Sequence, residues 1–123
     1  MPNFNFVLLY VDSPADSAKF YTSLLEAPIL EQSPTFAMLP LREGVMLGLW
    51  SRHTVEPKPA ALAGASEIAF TVAGPAAVSD VHAEWSKRGL RILQTPTAMD
   101  FGTTFVALDP DGHRLRVFAP VAP

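Results

Sequence analysis

The chain contains an internal repeat, and this repeat restricts its possible folds more than any other feature. Val11-Asp12-Ser13-Pro14-Ala15 returns as Val72-Ala73-Gly74-Pro75-Ala76, and the segment from Phe36 to Trp50 returns as the segment from Phe105 to Phe118. A repeated unit of this kind cannot bury its own hydrophobic sheet face, so the copies must pair to share a core. We therefore expect two similar units that build a cup between them.

Both copies follow the order strand, helix, strand, strand, strand. In the first copy a strand ends at Val11, Ser13 is a helix N-cap and Pro14 occupies the first helical position. In the second copy Glu67 to Val72 repeats the strand, and Gly74-Pro75 opens the second helix. This order predicts an α+β fold in which two βαβββ units form a curved mixed sheet cup with helices on its outer face. The repeats span about residues 1–55 and 65–123, and the proline-rich residues 56–64 link them within a single domain.

Composition excludes several classes of function. The net charge of −3 and the absence of a basic run give no reason to expect binding to nucleic acid or to an anionic membrane. No apolar run approaches the ~20 residues that span a bilayer, and no signal-peptide pattern opens the chain. The chain has no cysteine, which excludes disulfides and thiolate chemistry and suits a reducing cytoplasm.

Alternation within the predicted strands separates two faces. In the first strand Val7, Leu9 and Val11 share an apolar face, which suits packing beneath a helix. The opposite faces of the strands mix rings, charges and small residues, so we assign them to the cup. The candidate ligand-binding residues are Phe6, Tyr10, Phe36, Met46, Gly48, Trp50, Glu67, Phe101, Phe105, Arg116 and Phe118.

The aromatic candidates suggest a site for a flat ligand. Trp50 can stack on such a ligand, and the missing side chain at Gly48 leaves room for it; the alternative is an ordinary packed Trp at a strand end. Phe36 should lie across the hairpin from Trp50. Phe105 and Phe118 are expected to pair in the same way in the second unit.

Two other segments of the second copy are informative. The last hairpin is predicted to turn at Asp111-Gly112, a pair typical of a type I′ turn. The segment Pro96 to Gly102 is predicted to be a loop. It either covers the pocket, with Phe101 as a second stacking ring, or simply connects two strands.

Glu67 and Arg116 are the polar candidates on the cup face. One interpretation is a buried structural ion pair, in which case removal of one partner leaves an uncompensated charge. The other is that Arg116 binds a ligand carboxylate, since the guanidinium edge matches that geometry.

The chain resembles the vicinal oxygen chelate superfamily, which includes glyoxalase I, extradiol dioxygenases and bleomycin-resistance proteins. The resemblance rests on Val11 through Tyr21 and on the run Asp109-Pro110-Asp111-Gly112-His113-Arg114-Leu115-Arg116-Val117, and it covers nearly the whole chain. Enzymes of the superfamily hold a divalent metal with four inward side chains, one each from the first and the last strand of both units.

The resemblance places Phe6, Gly48, Glu67 and Arg116 at the four metal-ligand positions. Only Glu67 offers a ligand, and the permanent positive charge of Arg116 repels a cation. The three histidines, His53, His82 and His113, have spacings that match no metal motif. The resemblance therefore implies the fold of the superfamily without its metal chemistry. The chain is more similar to the branch that sequesters drugs than to the enzymes.

Three hypotheses of function follow from these observations. The first is a metal-free, cofactor-free and non-catalytic protein that binds and sequesters a small planar aromatic compound. The second is a metal-dependent lyase or dioxygenase that uses Glu67 and histidines placed differently from our assignment. The third, weaker one is a structural partner protein whose own side chains fill the cup. Relatives that bind drugs commonly form swapped dimers, so we also expect a homodimer.

Overall fold

The computed structural model describes residues 1–121, and the chain divides into two compact units, Met1–Leu62 and Ala63–Pro123. The boundary between the units lies inside residues 56–64, the segment predicted to be a linker. The assembly of the two units into one domain around a cup stays a prediction.

The first unit consists of one helix and a four-stranded mixed sheet. Its sheet order is β1-β4-β3-β2, and β1 runs parallel to β4 whereas the other neighbours are antiparallel. The elements are β1 (Phe6–Val11), α1 (Pro14–Leu25), β2 (Glu31–Gln32), β3 (Phe36–Arg42) and β4 (Val45–Ser51).

The first helix begins as the sequence predicts. The Ser13 hydroxyl oxygen accepts a hydrogen bond from the Asp16 amide at 3.2 Å, and Pro14 is the first helical residue. Glu26 ends the helix in a left-handed conformation. The apolar side of α1 packs on the sheet, where Ala18 and Tyr21 are buried together with Leu9, Val11, Leu39, Leu47 and Leu49.

The second unit repeats this arrangement. Its sheet order is β5-β8-β7-β6, again with one parallel pair, β5 and β8. The elements are β5 (Glu67–Thr71), α2 (Pro75–Lys87), β6 (Arg91–Met99), β7 (Gly102–Leu108) and β8 (Arg114–Pro120). The predicted α+β fold of two βαβββ units is therefore confirmed.

Aromatic rings fill the space beneath α2. The Trp85 ring lies edge to face against Phe70 and Phe105, with centroids 5.9 and 5.5 Å away. The His82 ring contacts Phe105 at 5.3 Å. Edge-to-face pairs add to the stabilisation that burial of these rings provides.

In the last hairpin, the pairing of β7 with β8 is shifted by one residue from the predicted register. A two-residue type I′ turn needs positive φ at both central residues, but of Asp111 and Gly112 only Gly112 has it, at 94°. The Asp109 carboxylate instead accepts hydrogen bonds from the amides of Asp111 and His113, at 2.9 and 2.8 Å, and the connection extends from Asp109 to His113.

This register decides which face Phe105 occupies. Thr104 lies opposite Phe118, and Phe105 lies opposite Val117. Because side chains alternate along a strand, Phe105 points beneath α2, where it is fully buried. The predictions that Phe105 pairs with Phe118 and lines a ligand site are wrong.

The predicted loop from Pro96 to Gly102 is also wrong. Strand β6 continues to Met99, and Asp100-Phe101 turns directly into β7. Pro96 is tolerated because β6 is an edge strand and its register is irregular between Gln94 and Thr97.

Neither helix in the described residues has the length and apolar character needed to cross a bilayer.

Candidate functional site

The sheet of the first unit has one side that no helix of that unit covers, here called the first open face. Three of its side chains, Phe6, Leu8 and Tyr10, are about 40% exposed. In the register, these residues lie beside Met46, Gly48 and Trp50. The first open face comprises Phe6, Leu8, Tyr10, Phe36, Met38, Pro40, Met46, Gly48 and Trp50.

Trp50 and Phe36 form the aromatic pair of this face. They are register partners on β4 and β3, which confirms the predicted pairing across the hairpin. Their ring centroids are 6.2 Å apart and the planes meet at 88°. Trp50 is only partly buried, so part of the indole is accessible to a ligand.

The space above Gly48 is not empty, contrary to our expectation. A Cβ atom at this position would lie 2.5 Å from Leu8 Cδ2 and 3.0 Å from Phe36 Cζ. The absent side chain therefore makes room for Leu8 and Phe36 rather than for a ligand beside Trp50. Leu8 shares a face with Phe6 and Tyr10 by simple alternation, so the sequence contained the signal that would have added it to the site.

The second open face is the corresponding side of the second sheet, and it is polar at its centre. Arg116 Nε donates to Glu67 Oε1 at 2.8 Å, and Arg116 Nη2 donates to Glu67 Oε2 at 2.9 Å. The Nη1 group of Arg116 donates to Thr104 Oγ1 at 3.1 Å and to Gln94 Oε1 at 3.5 Å. The second open face comprises Glu67, Ala69, Thr71, Gln94, Thr104, Val106, Arg114, Arg116 and Phe118.

The ion pair has the predicted partners but not the predicted burial. The side chains of Glu67 and Arg116 are 29% and 20% exposed, so water reaches both. Hydrogen bonds from Arg116 lower the pKa of Glu67, and the Glu67 carboxylate in turn raises the pKa of Arg116. Removal of one partner therefore leaves a charge that water can partly solvate.

Phe101 belongs to this face although it lies in a turn. Its ring is 5.9 Å from the Phe118 ring, edge to face, and its centroid is 5.9 Å from Arg116 Cζ. The tight turn between β6 and β7 thus places an aromatic ring beside the ion pair. The polar residues Gln94, Thr104 and Arg114 were not among the sequence candidates. Arg114 is two residues before Arg116 on the same strand. Strand alternation therefore places both side chains on one face, and this was the signal that could have identified Arg114.

The residues at the four positions of the resemblance do not fit a divalent metal. Phe6 and Gly48 have no donor atom, and the Glu67 carboxylate is engaged by Arg116. Within residues 1–121, His, Cys, Asp and Glu side chains form no group of three or more that could hold a metal ion. His53 instead contacts the Asp12 carboxylate at 2.7 Å, and this hydrogen bond is the main reason that the pKa of Asp12 is lowered.

Comparison with known proteins gives relatives over nearly the whole chain. The profile of the Glyoxalase/Bleomycin resistance protein/Dioxygenase superfamily matches residues 3–117. A phenazine antibiotic resistance protein, EhpR, from Enterobacter agglomerans is 28% identical over 116 residues, which are 92% of this chain and 88% of that protein.

Solved structures with a similar fold also cover nearly the whole chain. The solution structure of an Agrobacterium tumefaciens protein is 48% identical, with a TM-score of 0.89, and the match covers 99% of this chain and 100% of that chain. A glyoxalase/bleomycin resistance protein/dioxygenase from Nocardioides has a TM-score of 0.80 at 22% identity, covering 98% of this chain and 85% of that one, and supports the fold alone.

Proposed function

The chain belongs to the glyoxalase/bleomycin resistance protein/dioxygenase superfamily, and from this premise we propose that it binds a small planar aromatic compound without a metal. By holding the compound, the protein lowers its free concentration. Such sequestration requires affinity and abundance but no chemical step.

The accessible aromatic surface of the first open face is the observation that carries this proposal. Binding sites for small molecules are mainly apolar with a few placed polar groups. Trp50 is held edge to face by Phe36, so its ring is oriented before a ligand arrives. An oriented ring loses little entropy when a flat compound stacks on it.

The relative from Enterobacter agglomerans supports the class of ligand. Its name assigns it resistance to phenazine antibiotics, and phenazines are planar aromatic molecules. Since that relative is 28% identical to this chain, we propose planar aromatics as a class rather than one particular phenazine.

Fluorescence titration with phenazine tests the proposal. We expect the compound to quench Trp50 emission, and we expect Trp50→Ala to weaken binding by about 1–3 kcal/mol, the scale of base stacking on aromatic side chains. Trp85→Phe is the matched control, because Trp85 belongs to α2 and its ring is buried against the covered side of the second sheet. Unchanged affinity in the Trp50→Ala variant would contradict the assignment of this face.

Binding should persist in EDTA, because the residues at the implied metal positions do not fit a cation. The same titration is repeated after chelation and after addition of Zn²⁺, Ni²⁺, Mn²⁺ or Fe²⁺. Affinity that is lost in EDTA and restored by a divalent metal would favour a metal-dependent lyase or dioxygenase instead.

We also propose that the protein forms a homodimer. Phe6, Leu8 and Tyr10 together expose apolar surface on one strand, and contiguous patches of this kind mark ligand or protein contacts.

A further inference from the structure

All three nitrogens of the Arg116 guanidinium are engaged within the second unit. Nε and Nη2 donate to Glu67, and Nη1 donates to Thr104 and Gln94. A ligand carboxylate could reach the bidentate edge of Arg116 only by displacing Glu67. That displacement exchanges one charge-assisted pair for another, so it contributes little net affinity. Arg116 therefore has a structural role in this face, and it is a poor receptor for a ligand anion.

Arg114 differs from Arg116 in its distance from the Glu67 carboxylate and in its exposure. It lies opposite Glu67 in the register of β5 and β8, yet its Nη1 atom is 3.9 Å from Glu67 Oε2, which is beyond hydrogen-bonding distance. Its side chain is 42% exposed. Arg114 therefore keeps guanidinium donors that the ion pair of Glu67 and Arg116 does not consume.

The charge of this cluster favours an anion. Arg114 and Arg116 supply two positive charges against the single negative charge of Glu67, so the cluster carries an excess of one positive charge. The chain as a whole has a net charge of −3, so the excess is a local feature. Phe101 and Phe118 add ring surface on the same face.

We propose that the second open face by itself binds a planar aromatic compound that carries one anionic group, such as a carboxylate, and that Arg114 recognises this group. The inference rests on the proposed function for the class of ligand, and it adds a site in the second unit besides the one at Trp50 in the first. Arg114 forms the charge-assisted hydrogen bonds, Arg116 remains paired with Glu67, and the rings of Phe101 and Phe118 contact the aromatic part.

Calorimetric titration with phenazine-1-carboxylate and phenazine-1-carboxamide tests this inference, because the two compounds have nearly the same shape and differ in charge. The wild-type protein should bind the carboxylate about tenfold more tightly or better, the scale of a charge-assisted hydrogen bond. Arg114→Gln should abolish this preference and leave the affinity for the carboxamide within about twofold of wild type. Arg42→Gln removes the same charge from the first unit and should retain the full preference.

The outcomes separate the inference from the proposed function. The role of Arg114 is overturned if the wild type binds both compounds with equal affinity. It is also overturned if the Arg114→Gln variant keeps the preference for the carboxylate. In both cases the proposed binding of planar aromatics stands. Failure of the wild type to bind either compound contradicts the proposed function and the inference together. The wild-type ratio requires no variant, so it decides the anion preference even if Arg114→Gln folds poorly.

Discussion

Arg116 shows how one residue changes what a site can do. At a position where the family resemblance implies a metal ligand, its guanidinium forms a bidentate pair with Glu67. The pair is linked to the sheet through Thr104, whose hydroxyl donates to the Val117 carbonyl oxygen at 2.9 Å. Two carboxylate oxygens that could have bound a cation are thus engaged by a positive charge that cannot be titrated away near neutral pH.

The Glu67 carboxylate should make stability depend on pH. Its pKa in the folded protein is lowered from 4.5, chiefly by hydrogen bonds from Arg116, so the native state binds its proton less readily than the unfolded chain does. The stabilisation is therefore complete above pH 4.5 and is lost as the pH falls through the lowered folded value. Urea denaturation should show that Glu67→Gln lowers the free energy of unfolding at pH 7, and that the deficit shrinks below pH 4.5.

Glu43→Gln is the matched control, since Glu43 lies in the exposed turn between β3 and β4 and away from the ion pair. A Glu67→Gln deficit that stays constant from neutral to acid pH would show that the ion pair does not stabilise the folded protein.

At the scale of elements, the hairpins decide which residues share a face. The five-residue connection from Asp109 to His113 shifts β7 by one residue relative to the predicted type I′ turn. That shift places Phe105 in the core and Thr104 beside Arg116. A turn held by one side chain, the Asp109 carboxylate, thereby sets the polarity of the second open face.

The turn between β6 and β7 depends on Gly102. Its φ is 149°, and a Cβ there would lie 2.0 Å from the Ala119 carbonyl oxygen, a backbone atom that cannot rotate away. Gly102→Ala should therefore lower the free energy of unfolding by about 2–4 kcal/mol, from backbone strain and overlap together. Thermal or chemical denaturation measures this loss.

Gly44→Ala is the control for that prediction. Gly44 also has a positive φ, 79°, but a Cβ there would meet no atom within 4 Å. Gly44→Ala should lower the free energy of unfolding only by the conformational penalty of a positive φ, about 1 kcal/mol. Equal losses for the two variants would mean that the contact with Ala119 is unimportant.

For the whole molecule, the proposed homodimer makes a simple prediction. Light scattering at micromolar concentration should give about twice the 13.3 kDa mass of one chain. Leu8→Glu places a charge on the exposed apolar strand and should shift the mass toward that of the monomer if the first open face is the interface. A wild-type protein that is monomeric at this concentration rules the dimer out.

The sequence by itself determined the order of the elements and the pattern of the repeat, but not the extent of β6. Capping by Ser13, alternation in β1 and the Phe36–Trp50 pairing depend on neighbours along the chain or on a tight hairpin, and such local rules can be applied without a structure. The pairing of Glu67 with Arg116 was predictable because strand alternation places both residues on the cup face and the resemblance places both at metal-ligand positions.

Only the tertiary structure decided what each face contains. The register of β7 depends on hydrogen bonds of the Asp109 carboxylate, and a shift of one residue exchanges the two faces of a strand. The occupation of the space above Gly48 by Leu8 and Phe36 and the partial exposure of the ion pair depend on side chains from other strands. These contacts join residues far apart in the chain, so no local pattern contained them, and they are the contacts that decide which donors and rings a ligand can reach.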